Sequence, residues 1–313
     1  MAIYRTYESL SITGRWDAEL LAHVPKSLRF LAHVGAGYDQ IDAEACINAN
    51  VRVSNVPTAV DDATADTGIF LMLGALRRFW PAMQTCKDGK FRGDGPPLIG
   101  RDPQGKTIGF LGMGGIGKNM AKKAKAFDMK IQYHNRTRLD EKVEQDTGAK
   151  YVSFDELLST SDVLSLNLPL NVSMPSISML SPLKKNFPPS APKTDTFQPQ
   201  TRHIISTAEF AKMKPGIVIV NTARGAVMDE AALVRALDDE TVGAVGLDVF
   251  ENEPRIEPGL LSNPRAIILP HMGTTTIETI LKMEEWALAN VRSAVEKGRL
   301  VSIIPEQKKL GWQ

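Results

Sequence analysis

Between Thr107 and Phe127 the chain reads TIGFLGMGGIGKNMAKKAKAF, which sets Gly112, Gly114 and Gly117 in a G-x-G-x-x-G spacing. An apolar strand pattern runs directly into the first glycine and a helical pattern leaves the last, the context in which this spacing carries chemistry. Each glycine has a mechanical part. The first permits a tight turn, the second lets backbone approach a pyrophosphate, and the third lets helix pack on strand. Free amides of the first helical turn, at Gly115, Ile116 and Gly117, suit an anion. The predicted chemistry is dinucleotide binding, and the bland alternative is an ordinary Gly-rich turn. About twenty residues further on, the end of the next strand selects the dinucleotide. An NAD site needs an acid there for the ribose hydroxyls, and that carboxylate would repel the 2′-phosphate of NADP. Here the run is YHNRTRLD. Asn135 stands in the acid's place, while Arg136, Thr137 and Arg138 offer guanidinium groups and a hydroxyl suited to a phosphate. The expected cofactor is NADP(H), with NAD as the second choice; otherwise these arginines are solvated surface charges.

Such a loop works only where strands and helices hold it. Short apolar runs alternate with helical patterns along nearly the whole chain, as in parallel strands joined by crossover helices, so the predicted class is α/β. Candidate strands are Ala2 to Thr6, Leu28 to His33 and Val51 to Val53, followed by a long helical pattern from Thr64 to Asp88. A second series begins with TIGFL and continues through KIQYH, KYV, DVLSLNL, IVIVN, AVGLDV and AIILP, with helical stretches between them. Ser153 with Glu156, and Ser206 with Glu209, read as capping boxes. The last helix is expected from Thr274 to Lys297. The Gly/Pro-rich stretch KFRGDGPPLIGRDPQGK separates the two series and ends near Gln104. The expected organisation is a Rossmann domain over 105–271, inserted into a substrate domain made of 1–104 and 272–313.

Of the 313 residues, 43% are apolar and 23% charged, enough to bury a sizeable core. Formal net charge is +1, from 37 basic and 36 acidic side chains, so nothing argues for nucleic acid or an anionic membrane as partner. A small molecule is the expected partner. Cys46 and Cys86 lie far apart without a C-x-x-C or His/Cys cluster, which fits a reducing compartment and offers no metal site. Both read as buried thiols. No apolar run reaches the length of a membrane span, and MAIYRTYESL lacks the features of a signal peptide, so a cytoplasmic location is expected.

Around the glycine loop, in order, stand FLAHVGAGYDQID, NVPTAVDDATADTGIFLML, DVLSLNLPL, MKPGIVIVNTARGAVMDEAALVRAL, GAVGLDVFENEP and AIILPHMGTTT. Together they resemble the D-isomer specific 2-hydroxyacid dehydrogenase family, in particular its glyoxylate/hydroxypyruvate reductase and fungal D-mandelate dehydrogenase-like members. The resemblance implies a flavodoxin-like substrate domain, a homodimer, and roles for particular residues. Arg224, Glu253 and His271 are implied to be catalytic. Val34, Gly35, Ala36 and Gly37 are implied to bind the substrate carboxylate through backbone amides. Leu168, Pro169, Thr222, Ala223, Asp248 and Gly273 are implied to lie beside the cofactor. The residue types suit these roles. A guanidinium grips a carboxylate bidentately, an imidazolium can protonate a carbonyl oxygen near neutral pH, and a carboxylate beside the imidazole favours its charged form. The bland readings are a surface arginine, a turn acid and a core histidine. His271, however, follows an apolar strand and precedes a Gly and three Thr, where parallel sheets place chemistry. His23, His33, His134 and His203 lack a partner of this kind and read as structural.

Two stretches depart from the family pattern. Relatives carry a strand and helix ahead of the strand matching AIYRT, and that strand is central to a flavodoxin-like sheet. Its absence predicts unpaired backbone in the middle of the core formed by residues 1–98. From Asn171 to Gln200 the chain is rich in Ser and Pro, forms neither a helix nor a paired strand by pattern, and resembles no site. It could be a lid, an interaction arm carrying Lys184 and Lys185, or a retained intron translated in frame. The intron is the favoured reading, since Val172 is coded by a triplet starting GT and Gln200 can be coded by CAG. The chain as a whole reads as a reductase of a small 2-oxo acid, glyoxylate or hydroxypyruvate, yielding the D-2-hydroxy acid. The alternatives are a D-mandelate-type dehydrogenase of larger aromatic acids and a cofactor-binding protein without activity.

Overall fold

The computed structural model describes residues 1–93, 95, 99–170 and 201–312. Its strands lie in two parallel sheets. In the smaller, β1 (Ala2–Arg5), β2 (Phe30–His33) and β3 (Arg52–Ser54) are ordered β1-β2-β3. The larger contains β4 (Thr107–Leu111), β5 (Lys130–His134), β6 (Ala149–Tyr151), β7 (Val163–Leu166), β8 (Ile217–Asn221), β9 (Val242–Leu247) and β10 (Ala266–Ile268). Their order is β10-β9-β8-β7-β4-β5-β6. This is the expected α/β class with a Rossmann sheet. Strands covered on both faces read as continuous apolar runs, and β8, IVIVN, is buried at every position.

From β4 the chain moves outward through β5 and β6, then returns to β7 on the other side of β4 and moves outward again to β10. The strand order reverses between β4 and β7, and sheets of this kind bind ligands in that crevice, at the carboxyl ends of the strands. Because every pair is parallel, the loops leaving β4, β7, β8, β9 and β10 open at the same end.

The predicted helix from Thr64 to Asp88 is two helices, Asp61–Arg77 and Phe79–Lys87. Arg78 between them is left-handed (φ 57°), and its amide returns to the Gly74 and Ala75 carbonyls, which closes the first helix. The first packs on the larger sheet. A Cβ on Gly68 would lie 2.8 Å from the Met120 sulfur, one on Gly74 2.6 Å from Ile267, and one on Gly246 2.7 Å from Leu71. The second helix buries none of its residues. Cys86 lies on it and is exposed, contrary to expectation, whereas Cys46 is buried. The last helix is Ile277–Lys297, starting later than expected because the Thr276 hydroxyl caps it at the Thr279 amide. Ser206 and Glu209 close a full capping box. Ser153 makes only its half, since the Glu156 carboxylate is drawn to Lys150 at 3.2 Å.

In the smaller sheet the outer side of β1 has no strand beside it among the described residues, while the β1–β2 and β2–β3 seams are paired. β1 pairs directly with β2, Ala2 opposite Phe30 through Arg5 opposite His33, so these strands leave no unpaired backbone between them. β1 is an edge strand, and helix Ile277–Lys297 packs against both β1 and β2. The segment 171–200 lies outside the described residues. Its flanks meet, the Thr201 hydroxyl donating to the Pro169 carbonyl at 2.8 Å.

Candidate active site

The glycine loop has the geometry its spacing predicts. Gly112 has φ 92°, and a Cβ there would lie 2.8 Å from the Asn167 backbone, so the first glycine is needed for the turn and for the approach of β7. A Cβ on Gly117 would meet the Gly112 carbonyl at 2.7 Å, whereas nothing stands within 4 Å of the same position on Gly114. That open face adjoins the start of helix Gly115–Lys125, where the amides of Gly115, Ile116 and Gly117 have no intrahelical acceptor. The Asn135 side chain turns back to this loop and accepts from the Met113 amide at 2.7 Å. Arg136 and Thr137 are exposed beside it. Arg138 is not free for a phosphate: its Nε and Nη2 donate to Glu144 at 2.8 and 2.7 Å. The bonds from Arg138 and Tyr133 hold the Glu144 carboxyl at about 2.

Leu168 is nearly buried and Pro169 exposed at the end of β7. Two buried polar atoms nearby have no partner among the described residues, Asn167 Nδ2 and Thr222 Oγ1. With the open face at Gly114 and the free helix amides, these orphan groups fit a dinucleotide. Thr222 begins the turn after β8, and the Ala223 amide donates to Asn221 Oδ1 at 3.0 Å. Asp248, 2% exposed, accepts from the Met272 and Gly273 amides at 2.8 Å each. Burial pushes its carboxyl up, and the two amides oppose that. Asp248 therefore anchors the loop on which His271 sits with φ 54°.

The turns after β8 and β9 are pressed together. A Cβ on Gly225 would lie 1.8 Å from the Phe250 carbonyl carbon, so only glycine lets the Arg224 turn lie on the one that carries Glu253. Glu253 Oε2 is 2.9 Å from His271 Nδ1, and Oε1 accepts from the Phe250 amide at 3.0 Å. Burial raises the Glu253 carboxyl, but the His271 bond and charge, the Phe250 amide and Tyr7 outweigh it and hold it below its ordinary value. Arg224 donates from Nε to Asp39 at 2.8 Å and from Nη1 to the Ala223 carbonyl at 2.8 Å. Its Nη2 is turned to the glycine loop of the other sheet, where a Cβ on Gly37 would be only 1.8 Å away. The Arg224, Glu253 and His271 side chains are 22%, 23% and 32% exposed, accessible to a ligand.

Two residues at this site escaped the sequence reading. Tyr7 donates to Glu253 Oε2 at 3.3 Å and sets its ring edge to face with His271, centroids 5.5 Å apart. Asp39 fixes Arg224; its only sequence signal is an acid two positions after the glycine pair of VGAG. One histidine reading is corrected: His203 does have a carboxylate partner, Glu251 at 2.7 Å, shared with Arg202. Among the described residues no cluster of His, Cys, Asp or Glu could hold a metal ion, and no helix is long and apolar enough to cross a membrane.

A family model described as "D-isomer specific 2-hydroxyacid dehydrogenase, NAD binding domain" matches residues 69–179 and 195–273. The chain belongs to the D-isomer specific 2-hydroxyacid dehydrogenase family. It is an NAD(P)-dependent oxidoreductase acting on 2-hydroxy acids. The match begins within helix Asp61–Arg77 and omits 180–194; it includes 171–179 and 195–200, so the stretch without a family counterpart is shorter than the expected 171–200. A 4-methyl-2-oxopentanoate reductase A from Aspergillus oryzae is 53% identical over 310 residues, 99% of this chain and 85% of that protein. A crystal structure of a glyoxylate reductase from Paecilomyes thermophila is 51% identical with TM-score 0.86, covering 98% of this chain and 84% of that one. The holo form of Rhodotorula graminis D-mandelate dehydrogenase superposes with TM-score 0.82 at 29% identity, covering 97% and 83%.

Proposed function

We propose that the enzyme reduces a small 2-oxo acid of the glyoxylate/hydroxypyruvate type to the D-2-hydroxy acid, with NADPH preferred. The observation that carries this reading is the Glu253–His271 pair set beside the Arg224 guanidinium and the glycine loop 34–37. Arg224 Nη2, not committed to Asp39 or Ala223, and the amides of loop 34–37 take the substrate carboxylate. His271 uses Nδ1 toward Glu253, so Nε2 is the atom that holds the proton for the carbonyl oxygen. Glu253 stabilises the charged imidazole, and the Phe250 amide stabilises Glu253 in turn. When bound, the nicotinamide supplies the hydride to the carbonyl carbon. Gly115, Ile116 and Gly117 would hold its pyrophosphate, and Arg136 with Thr137 a 2′-phosphate that no acid at Asn135 repels. The Tyr7 ring against His271 narrows the space beside the reacting carbon and favours small substituents. Similarity to a glyoxylate reductase structure at 51% identity supports the same choice.

A second reading, a larger substituent, is favoured by the 53% relative named for 4-methyl-2-oxopentanoate and by the likeness to D-mandelate dehydrogenase. The proposal also includes a substrate domain of 1–104 and 272–313 and a dinucleotide domain of 105–271, with helix Asp61–Arg77 lying on the sheet of the latter. A cytoplasmic homodimer is proposed from the family resemblance, and sedimentation of the purified chain tests the dimer. The deciding assay follows NADPH or NADH oxidation with glyoxylate, hydroxypyruvate, 4-methyl-2-oxopentanoate and benzoylformate. The first two should give the highest kcat/KM with NADPH; a clear preference for benzoylformate or the branched acid overturns the small-substrate reading. NADPH binding without turnover of any of them points to an inactive cofactor-binding protein.

A further inference from the structure

Three carbonyls of the glycine loop, those of Gly35, Ala36 and Gly37, are tied from behind. The Val56 amide donates to the Gly35 carbonyl at 2.9 Å, and Asn55 Nδ2 donates to that of Ala36 at 2.8 Å. His33 Nε2 lies 3.0 Å from that of Gly37. In a trans peptide the N–H of the next residue points opposite to the carbonyl. The amides of Ala36, Gly37 and Tyr38 are therefore turned away from these anchors, and they donate to no acceptor among the described residues. Three outward amides on a loop that abuts Arg224 make an anion cradle.

The third anchor depends on a proton being in the right place. His33 is 1% exposed, and its Nδ1 is 3.3 Å from Arg5 Nη1. A guanidinium can only donate, so against Arg5 Nη1 the ring accepts at Nδ1 and its proton sits on Nε2, aimed at the Gly37 carbonyl; the Arg5 backbone carbonyl, also beside the ring, is the acceptor that the other tautomer would use. Burial and the Arg5 charge push this imidazole down to about 4, so it stays neutral in ordinary buffers. Arg5 itself is 1% exposed, and its Nε and Nη2 have no partner among the described residues. A buried guanidinium with two unused donor atoms is costly, and its one side-chain hydrogen-bond partner among the described residues is the His33 ring. We propose that Arg5 and His33 are positioning residues for the substrate carboxylate: Arg5 fixes the tautomer of His33, and His33 pins the Gly37 carbonyl so that the Tyr38 amide faces the anion.

The inference rests on loop 34–37 being the carboxylate cradle of the proposed reductase, and its test needs no turnover. Oxamate, a non-reacting 2-oxo acid analogue, is titrated calorimetrically into the NADPH-loaded protein, wild type, His33→Leu and His33→Gln. His33→Leu should weaken oxamate about tenfold, as expected for one bond to a charged group. Gln carries an amide N–H2 near the Nε2 position and should restore affinity to within about threefold, while the NADPH dissociation constant stays unchanged in both variants. Equal oxamate affinity in wild type and His33→Leu, or a matching loss of NADPH affinity in both variants, overturns the inference. The part assigned to Arg5 is read from 15N shifts of the His33 ring. Nε2 should carry the proton in wild type and share it with Nδ1 in Arg5→Met; a wild-type ring protonated on Nδ1 overturns it. Oxamate binding that follows these expectations, in an enzyme that reduces no 2-oxo acid, would remove the reductase reading and leave the cradle standing.

Discussion

In the proposed reaction His271, Glu253 and Arg224 each have one task, and their separate failures should look different. His271→Ala removes the proton held at Nε2 and should lower kcat by about 10²- to 10⁴-fold while the NADPH dissociation constant stays put, measured by stopped-flow and fluorescence titration. Glu253 also marks the fold's response to acid. Its carboxyl lies below its ordinary value in the folded chain, so the stability it contributes is complete above 4.5 and is lost as pH falls through the lower folded value. The gap in thermal midpoint between wild type and Glu253→Gln should be open near pH 6 and close progressively below about pH 4.5; a gap that stays constant would mean the charge is not what matters. These three residues were legible because each stands inside a local run with its own strand and turn signals. Tyr7 and Asp39 were not. Tyr7 reaches Glu253 across 246 positions and Asp39 reaches Arg224 across 185, and no spacing within a run encodes such a meeting.

At the scale of single elements, the carboxyl end of β5 shows where composition misleads. Three of the residues after Asn135 looked equally suited to a phosphate, yet Arg138 is taken by Glu144, itself held by the Tyr133 hydroxyl at 2.6 Å. Arg136→Ala should therefore raise the NADPH dissociation constant about tenfold and leave NADH nearly unchanged. Arg138→Ala should leave both cofactors alone and lower the thermal midpoint; weaker NADPH binding in the second variant would reverse the assignment. The loop after β10 makes a similar point about support. Asp248→Ala removes two hydrogen bonds to a charged acceptor in a buried place, and should cost about 3 kcal/mol in denaturant unfolding together with most of kcat, since His271 loses its anchored loop. The helix break at Arg78 was not readable, because the helical pattern runs through it and only the left-handed turn back to Gly74 and Ala75 separates the two pieces.

Over the whole molecule, one property of the larger sheet does most of the positioning: all its strands are parallel, so residues far apart in sequence arrive at one end. The smaller sheet then supplies loop 34–37 and Tyr7 to face them. The alternation of strand and helix patterns revealed this class, but pairing order is not written in any pattern. The unpaired backbone expected here falls on the outer side of β1, the edge of the sheet, and not between β1 and β2, which are neighbours. The same whole-chain view bears on 171–200. The chain leaves at Leu170 and returns at Thr201 with its two ends already joined by the Thr201–Pro169 bond, so the surrounding fold closes across this point. The family model omits only 180–194 of this segment and matches the residues on either side. Replacing 171–200 by two glycines should preserve kcat and NADPH affinity and raise stability by about 1–2 kcal/mol, the closure entropy of a longer connection. Loss of NADPH binding in the shortened chain, with the thermal midpoint retained, would show instead that the segment contributes to the cofactor crevice beside Leu168.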